Sequence, residues 1–348
     1  MHFFRIFLHP MDISPELLQK STEYFGYNPR RCFDAASSVD RFEELKGTIE
    51  ARIIGIPSKE SNMVQVLSSS QTGDNHVSHS IFEISPSNEK RIFSKCKFGY
   101  VSKWAFNCFL EAYEAQQAVA ATNFYRFISE IPVAATLWGH VFERLVFRYL
   151  AEIELEHKFL MRGLSEPILG EATWTFRGPI PRRNFGRRED FIGAITKAVQ
   201  EKDRLHHDLV PFAQNFGAVD SIVYDPKAVL TFLQITVGRE HDIRVSGLQR
   251  IQNWLGRTPL AHLRPPRAAH LRPSKTSRFT LPLPFRASNS KTGNRPWRLI
   301  FIVPSDREAF FELQTLEGDT DRGEWAGKVH QYVLGLDVFK KPEYGAER

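Results

Sequence analysis

The sequence predicts an α/β protein, a mixed sheet flanked by helices, with a mostly helical region ahead of it. Two apolar runs, Gly217 to Tyr224 and Ala228 to Val237, flank Asp225-Pro226-Lys227, whose turn chemistry makes them a β-hairpin. A third run, Arg298 to Pro304, has the length and branched composition of a buried strand. The helical signal is strongest from Ala134 to His157. There Trp138, Val141, Phe142, Leu145, Tyr149 and Ile153 line one stripe at about 100° per residue.

The elements follow in order. Ser14 with Pro15 at the first helical position starts a helix, and a second begins at Val39. Residues 58–98 are polar, with short strands expected around Met63 to Leu67 and Ser80 to Ile84. A helix rich in Ala, Phe and Tyr is expected from Ser102 to Ile128, ended by Pro132. A short helix follows near Asp190 to Gln200 in a stretch mixing Gly, Pro and Arg. Another spans Ser246 to Leu255, with Leu248, Ile251, Trp254 and Leu255 facing inward. A last helix is expected around Ala326 to Leu334.

Composition narrows the class. At 348 residues, with 42% hydrophobic and 25% charged side chains, the chain is neither disordered nor collagen-like. Its 28 Phe can fill a sizeable core. Three scattered cysteines, Cys32, Cys96 and Cys108, give no Cys-x-x-Cys pair, so reduced intracellular thiols are expected. No window approaches 18 uninterrupted apolar residues, so no membrane contact is expected, and the run in Met1 to Pro10 is too short for an export signal.

Positive charge is concentrated. From Ile243 to Arg298 there are twelve basic residues and no acidic one, which supplies all of the chain's net +6. Such a stretch fits phosphate neutralisation, or is a solvated basic loop. Within it Ala261-His262-Leu263-Arg264-Pro265 is echoed by Ala269-His270-Leu271-Arg272-Pro273, and seven of the 20 prolines fall between Pro259 and Pro296. Residues 258–296 therefore look like an insertion.

Asp220 on one strand and Gln234-Ile235-Thr236 on its hairpin partner put polar groups inside apolar runs, which requires a reason. At matching depth they can share one divalent cation, or be satisfied polar residues at strand ends. His206-His207-Asp208 lacks a further ligand at useful spacing, and Gly-x-Ser-x-Gly is absent.

These residues resemble the PD-(D/E)XK nuclease superfamily, and more closely the nuclease-like domain of Crinkler-type and retrotransposon-hot-spot-type proteins. The likeness is carried by Gly139-His140-Val141-Phe142-Glu143, Asn215 to Ser221, Phe232 to Val237, His241, the Ser246 to Leu255 helix, Leu299 to Pro304 and Gln331 to Leu336. It covers roughly residues 100–340 and departs at the 258–296 insertion. It implies a restriction-endonuclease-like sheet and Mg²⁺- or Mn²⁺-dependent hydrolysis of DNA, with nuclear action. The metal would be held by Glu143, Asp220 and Gln234, and Thr236 stands where the family has its Lys. A hydroxyl cannot supply the positive charge that stabilises a developing phosphorane. His241, Arg244 and Arg250 are the expected nucleic-acid contacts, although His241 also fits a surface residue at the head of a helix. The alternative is an inactive nuclease fold that binds nucleic acid or a host protein.

Tyr24 to Cys32 resembles the segment that closes the P-loop NTPase module preceding such domains. No G-x-x-x-x-G-K-[ST] occurs, so no nucleotide triphosphate site and no ATP hydrolysis are expected. The resemblance divides the chain into an NTPase-derived remnant at 1–57, a hairpin and helical connector at 58–133, and the nuclease-like domain at 134–340.

Overall fold

The computed structural model describes residues 13–56, 81–86, 96–154, 156–164, 169–177, 183–185, 188–200, 207–211, 219–225, 229–241, 243–256, 258–265, 296–318, 325 and 327–340. The strand expected at Met63 to Leu67, Lys227, His206 and most of the 258–296 stretch lie outside them. The chain divides into two compact units, Met1–Val141 and Phe142–Arg348.

In the first unit, helices α1 (Pro15–Phe25), α2 (Pro29–Ala35) and α3 (Val39–Ile54) each start on a capping side chain. Ser14 Oγ accepts from Leu17 N at 3.3 Å, Asn28 Oδ1 from Arg31 N at 3.2 Å and Ser38 Oγ from Arg41 N at 3.1 Å. Strands β1 (Phe82–Pro86) and β2 (Cys96–Tyr100) pair antiparallel. The single helix expected from Ser102 to Ile128 is two, α4 (Lys103–Gln116) and α5 (Ala118–Glu130). The chain leaves helical geometry at Gln117, with φ −145° and ψ 60°. That break folds α5 back, so Phe124 meets both Phe109 and Tyr113 edge-on. Burial of Phe25, Phe42, Phe106, Phe109 and Phe124 joins residues 13–56 and 96–141 in one aromatic core. Gly26 has φ +68°, and the Val101 carbonyl occupies the space where its Cβ would stand.

The second unit is built on an eight-stranded mixed sheet. Helix α6 (Ala135–Ala151) leads into it across the division between units. The strands are β3 (Glu156–Gly163), β4 (Gly170–Arg177), β5 (Arg183–Phe185), β6 (His207–Pro211), β7 (Ser221–Asp225), β8 (Val229–Ile235), β10 (Trp297–Pro304) and β12 (Val329–Leu336). Their spatial order is β4-β3-β12-β10-β8-β7-β6-β5. The centre, β12-β10-β8, is parallel, and antiparallel pairs extend it on both sides. Two-residue strands β9 (Ile243–Arg244) and β11 (Leu316–Glu317) pair separately. Helices α7 (Arg188–Gln200) and α8 (Val245–Leu255) cover one sheet face. Phe191, Ile195, Leu248, Ile251 and Leu255 pack there with Phe232, Trp297, Leu299, Phe301 and Val333.

Two expected helical segments are strands. The helix expected to run to His157 ends at Ala151, and β3 begins at Glu156, where Phe159 and Met161 point inward while Lys158 and Leu160 point out. Pairing with all eight residues of β4 decides the matter over local propensity. The helix expected at Ala326 to Leu334 is β12, which pairs with β10 along eight positions. A strand buried on both faces loses its two-residue alternation, so its apolar residues imitate helical spacing.

Candidate functional site

The β7–β8 register sets Ser221 against Leu233 and Ile222 against Phe232, so the next pair outward is Asp220 and Gln234. Asp220 holds that position by donating its backbone N–H to Leu233 O at 2.9 Å. The matching depth expected of these residues is therefore what the hairpin provides. Asp220 Oδ2 accepts two hydrogen bonds, from Gln234 Nε2 at 2.9 Å and from Ile235 N at 2.6 Å. Gln234 is 5% exposed, so its amide is committed to this neighbour and not to water. A carboxylate bonded this way is neutralised locally by N–H dipoles. Two carboxylates at the same separation would repel and require a cation between them; a carboxylate and an amide do not.

Thr236 follows immediately and is 8% exposed. Its N–H continues the ladder to Ile302 O at 3.0 Å, and its Oγ1 accepts from Gly238 N at 3.0 Å, closing the turn after β8. Glu143 lies half-buried on α6. Among the described residues no group of three or more His, Cys, Asp or Glu is placed to hold a metal ion. Asp220 and Gln234 thus meet as a bonded pair, with both hydrogen bonds on Oδ2 of the carboxylate.

Beyond Thr236 the chain is fixed by two glutamines that the sequence did not single out. Gln314 is buried: its Oε1 accepts from His241 N at 2.6 Å, and its Nε2 donates to Arg239 O at 3.2 Å and Glu312 O at 2.6 Å. Gln331 on β12 exchanges two 3.0 Å bonds with the Gln314 backbone. His241 is therefore tied to the body of the unit through its backbone, and its half-buried ring sits ahead of α8. Arg244 is exposed and lies 3.7 Å from Glu317 across β9–β11, a surface pair of little energetic weight. Arg250 is exposed on α8. The only available signal for Gln331 was a polar residue inside an apolar run, and nothing local marks Gln314.

Two ionisable groups elsewhere in the unit are displaced by their surroundings. Burial pushes the Glu308 carboxyl above its ordinary range against the opposing pull of Arg162, which donates to the Glu308 and Phe311 carbonyls at 2.6 and 2.8 Å. Burial, and after it the nearby Arg298 guanidinium, holds His330 below the usual imidazole range.

No protein-family model, curated protein or solved structure matches the chain. Among the described residues no helix is long and apolar enough to cross a membrane.

Proposed function

We propose that the second unit is a PD-(D/E)XK nuclease-like domain of the Crinkler type that binds nucleic acid and does not cleave it. The observation that carries this reading is the pair of hydrogen bonds to Asp220 Oδ2 from Gln234 Nε2 and Ile235 N. An amide in place of a second carboxylate removes one of the negative charges a divalent cation would meet, and its N–H takes the cation's place beside the first. Thr236, engaged with Gly238 N, adds no positive charge for a phosphoryl transition state. Binding is supported by the twelve basic residues without an acidic one between Ile243 and Arg298, and by exposed Arg244 and Arg250 at α8.

Plasmid nicking in Mg²⁺ or Mn²⁺ tests the catalytic half, and salt-dependent retardation of duplex DNA tests the binding half. The expected outcome is retardation that weakens with salt and no nicking by the natural chain or by Asp220→Ala. A Gln234→Glu, Thr236→Lys double variant restores a second acid and the missing cation and is expected to gain nicking. Metal-dependent nicking by the natural chain that Asp220→Ala abolishes would overturn the reading. It would favour the second one, an active DNA endonuclease using Mg²⁺ at Asp220 and Gln234 with Glu143, for which the cross-strand placement of Asp220 and Gln234 speaks.

A further inference from the structure

On the sheet face opposite Asp220 and Gln234, three polar side chains occupy one register row of the central parallel strands. Thr231 of β8 lies beside Arg298 of β10, which lies beside His330 of β12. Adjacent strands are about 4.8 Å apart, so the row spans about 10 Å and Arg298 is at its middle. Apart from Tyr332 the same face of these strands is otherwise apolar, with Leu233, Ile300, Ile302 and Leu334 all buried.

Each member of the row has bonding capacity left over. Thr231 is 0% exposed and its Oγ1 has no hydrogen-bond partner. Arg298 is half-buried, and among the described residues no carboxylate stands within ion-pair distance of it. Its guanidinium lies 5.8 Å from the centroid of the Tyr332 ring, an interaction that leaves its N–H edges available. His330 is half-buried next to Arg298, and its ring keeps at least one N–H donor in either charge state. A hydroxyl, a guanidinium and an imidazole side by side in one row, with no acid among them, describe a receptor for an oxyanion. A cation would be repelled by Arg298, and a neutral carbonyl would leave the guanidinium uncompensated. Donors arriving from three strands suit a tetrahedral group with several acceptor oxygens better than a planar carboxylate.

We propose that Thr231, Arg298 and His330 form a phosphate-binding site on the face of the sheet away from Asp220. Arg298 and His330 are the solvent-reached members and Thr231 closes the buried end. The site shares no residue with the Asp220–Gln234 pair that carries the nuclease-like reading, and Arg298 is the one member it has in common with the basic stretch.

The test uses the full chain and inorganic phosphate, read by thermal unfolding and by the His330 ring resonances, with chloride at matched ionic strength as the control. Phosphate is expected to raise the melting temperature and shift the His330 signals, and chloride to do neither. Arg298→Met is expected to weaken the phosphate response at least tenfold while melting no lower than the natural chain without phosphate, since it removes an uncompensated half-buried charge. Thr231→Val is expected to weaken the response several-fold, and Asp220→Ala to leave its concentration dependence intact. A single-stranded oligonucleotide without terminal phosphates separates the two sources of the group. Competition with phosphate assigns the site to a nucleic-acid backbone, and failure to compete assigns it to a free phosphate monoester. An equal response to chloride, or a phosphate response undiminished in Arg298→Met, overturns the site.

Discussion

Strand β8 carries two polar intrusions three residues apart, on opposite faces of one apolar sheet, and they are resolved in opposite ways. At Gln234 the polar atoms are closed on each other: the amide and the next backbone N–H both end on Asp220. At Thr231 they are open: a buried hydroxyl without a partner lies in register with a half-buried guanidinium and a half-buried imidazole. The first arrangement is complete in the protein alone and costs the fold little. The second costs on the order of 1–3 kcal/mol for the hydroxyl, which a bound group that accepts from it or donates to it would offset. A polar residue in a sheet is thus not by itself the mark of a site. What distinguishes the two positions is whether the neighbours across the strands finish its hydrogen bonding.

The comparison is most strongly tested at its closed end. Asp220→Ala strands the buried Gln234 amide and the Ile235 N–H, and is expected to destabilise the second unit by about 2–4 kcal/mol in urea unfolding. That loss should be the same with and without Mg²⁺, because the carboxylate's partners are N–H groups. A loss seen only when Mg²⁺ is present would mean that Asp220 is there for a cation, and the contrast with Thr231 would collapse. Gln234→Glu is next in size. It places two carboxylates in contact and is expected to cost about 1–3 kcal/mol at neutral pH without metal. The cost should shrink below about pH 4.5 as one of the two acids takes a proton. Recovery on adding Mg²⁺ would show that a single amide-to-acid change reopens the pair.

The closed pair was legible in the sequence, and the open row was not, for a physical reason. Asp220 and Gln234 flank one hairpin turn, five residues before Asp225 and seven after Lys227, and the Asp225–Val229 pairing centres the loop so that they stand opposite one another. Ser14 and Pro15 announced α1 in the same local way. Thr231, Arg298 and His330 come together only through the order β8-β10-β12, whose parallel crossovers join positions 67 and 32 residues apart and leave no local trace. The mistaken helix at Ala326 to Leu334 hid the row further. In a helix His330 and Gln331 are neighbours around an axis, whereas in β12 they point to opposite faces, His330 to the open row and Gln331 to Gln314. The break at Gln117 was missed for a similar reason, since what favours it is the packing of Phe124 on Phe109 and Tyr113, not any residue at the break.

At the open end the sign of the expected effect reverses. Thr231→Val keeps the shape and removes the unsatisfied hydroxyl, so in phosphate-free buffer it is expected to stabilise the unit by about 1 kcal/mol, measured by urea unfolding. A loss of similar size would show that the hydroxyl is bonded in solution and that both intrusions are of the closed kind.

The smallest expected effect follows from His330. Its folded-state value is depressed by burial and then by Arg298, so the unfolded chain takes up a proton first as the pH falls. Stability is therefore full above the ordinary histidine value of about 6.5 and declines as the pH drops through it. His157, also depressed by burial, contributes in the same direction. Because both rings are partly exposed, each contribution should be below about 1 kcal/mol. His330→Gln is expected to remove its share of the decline between pH 7.5 and 5.5. Saturating phosphate should remove the same share in the natural chain, since a bound anion favours the charged imidazole beside Arg298. If phosphate left the decline untouched while His330→Gln abolished it, the ring would be buried beside Arg298 for packing alone, and the row would lose its third member.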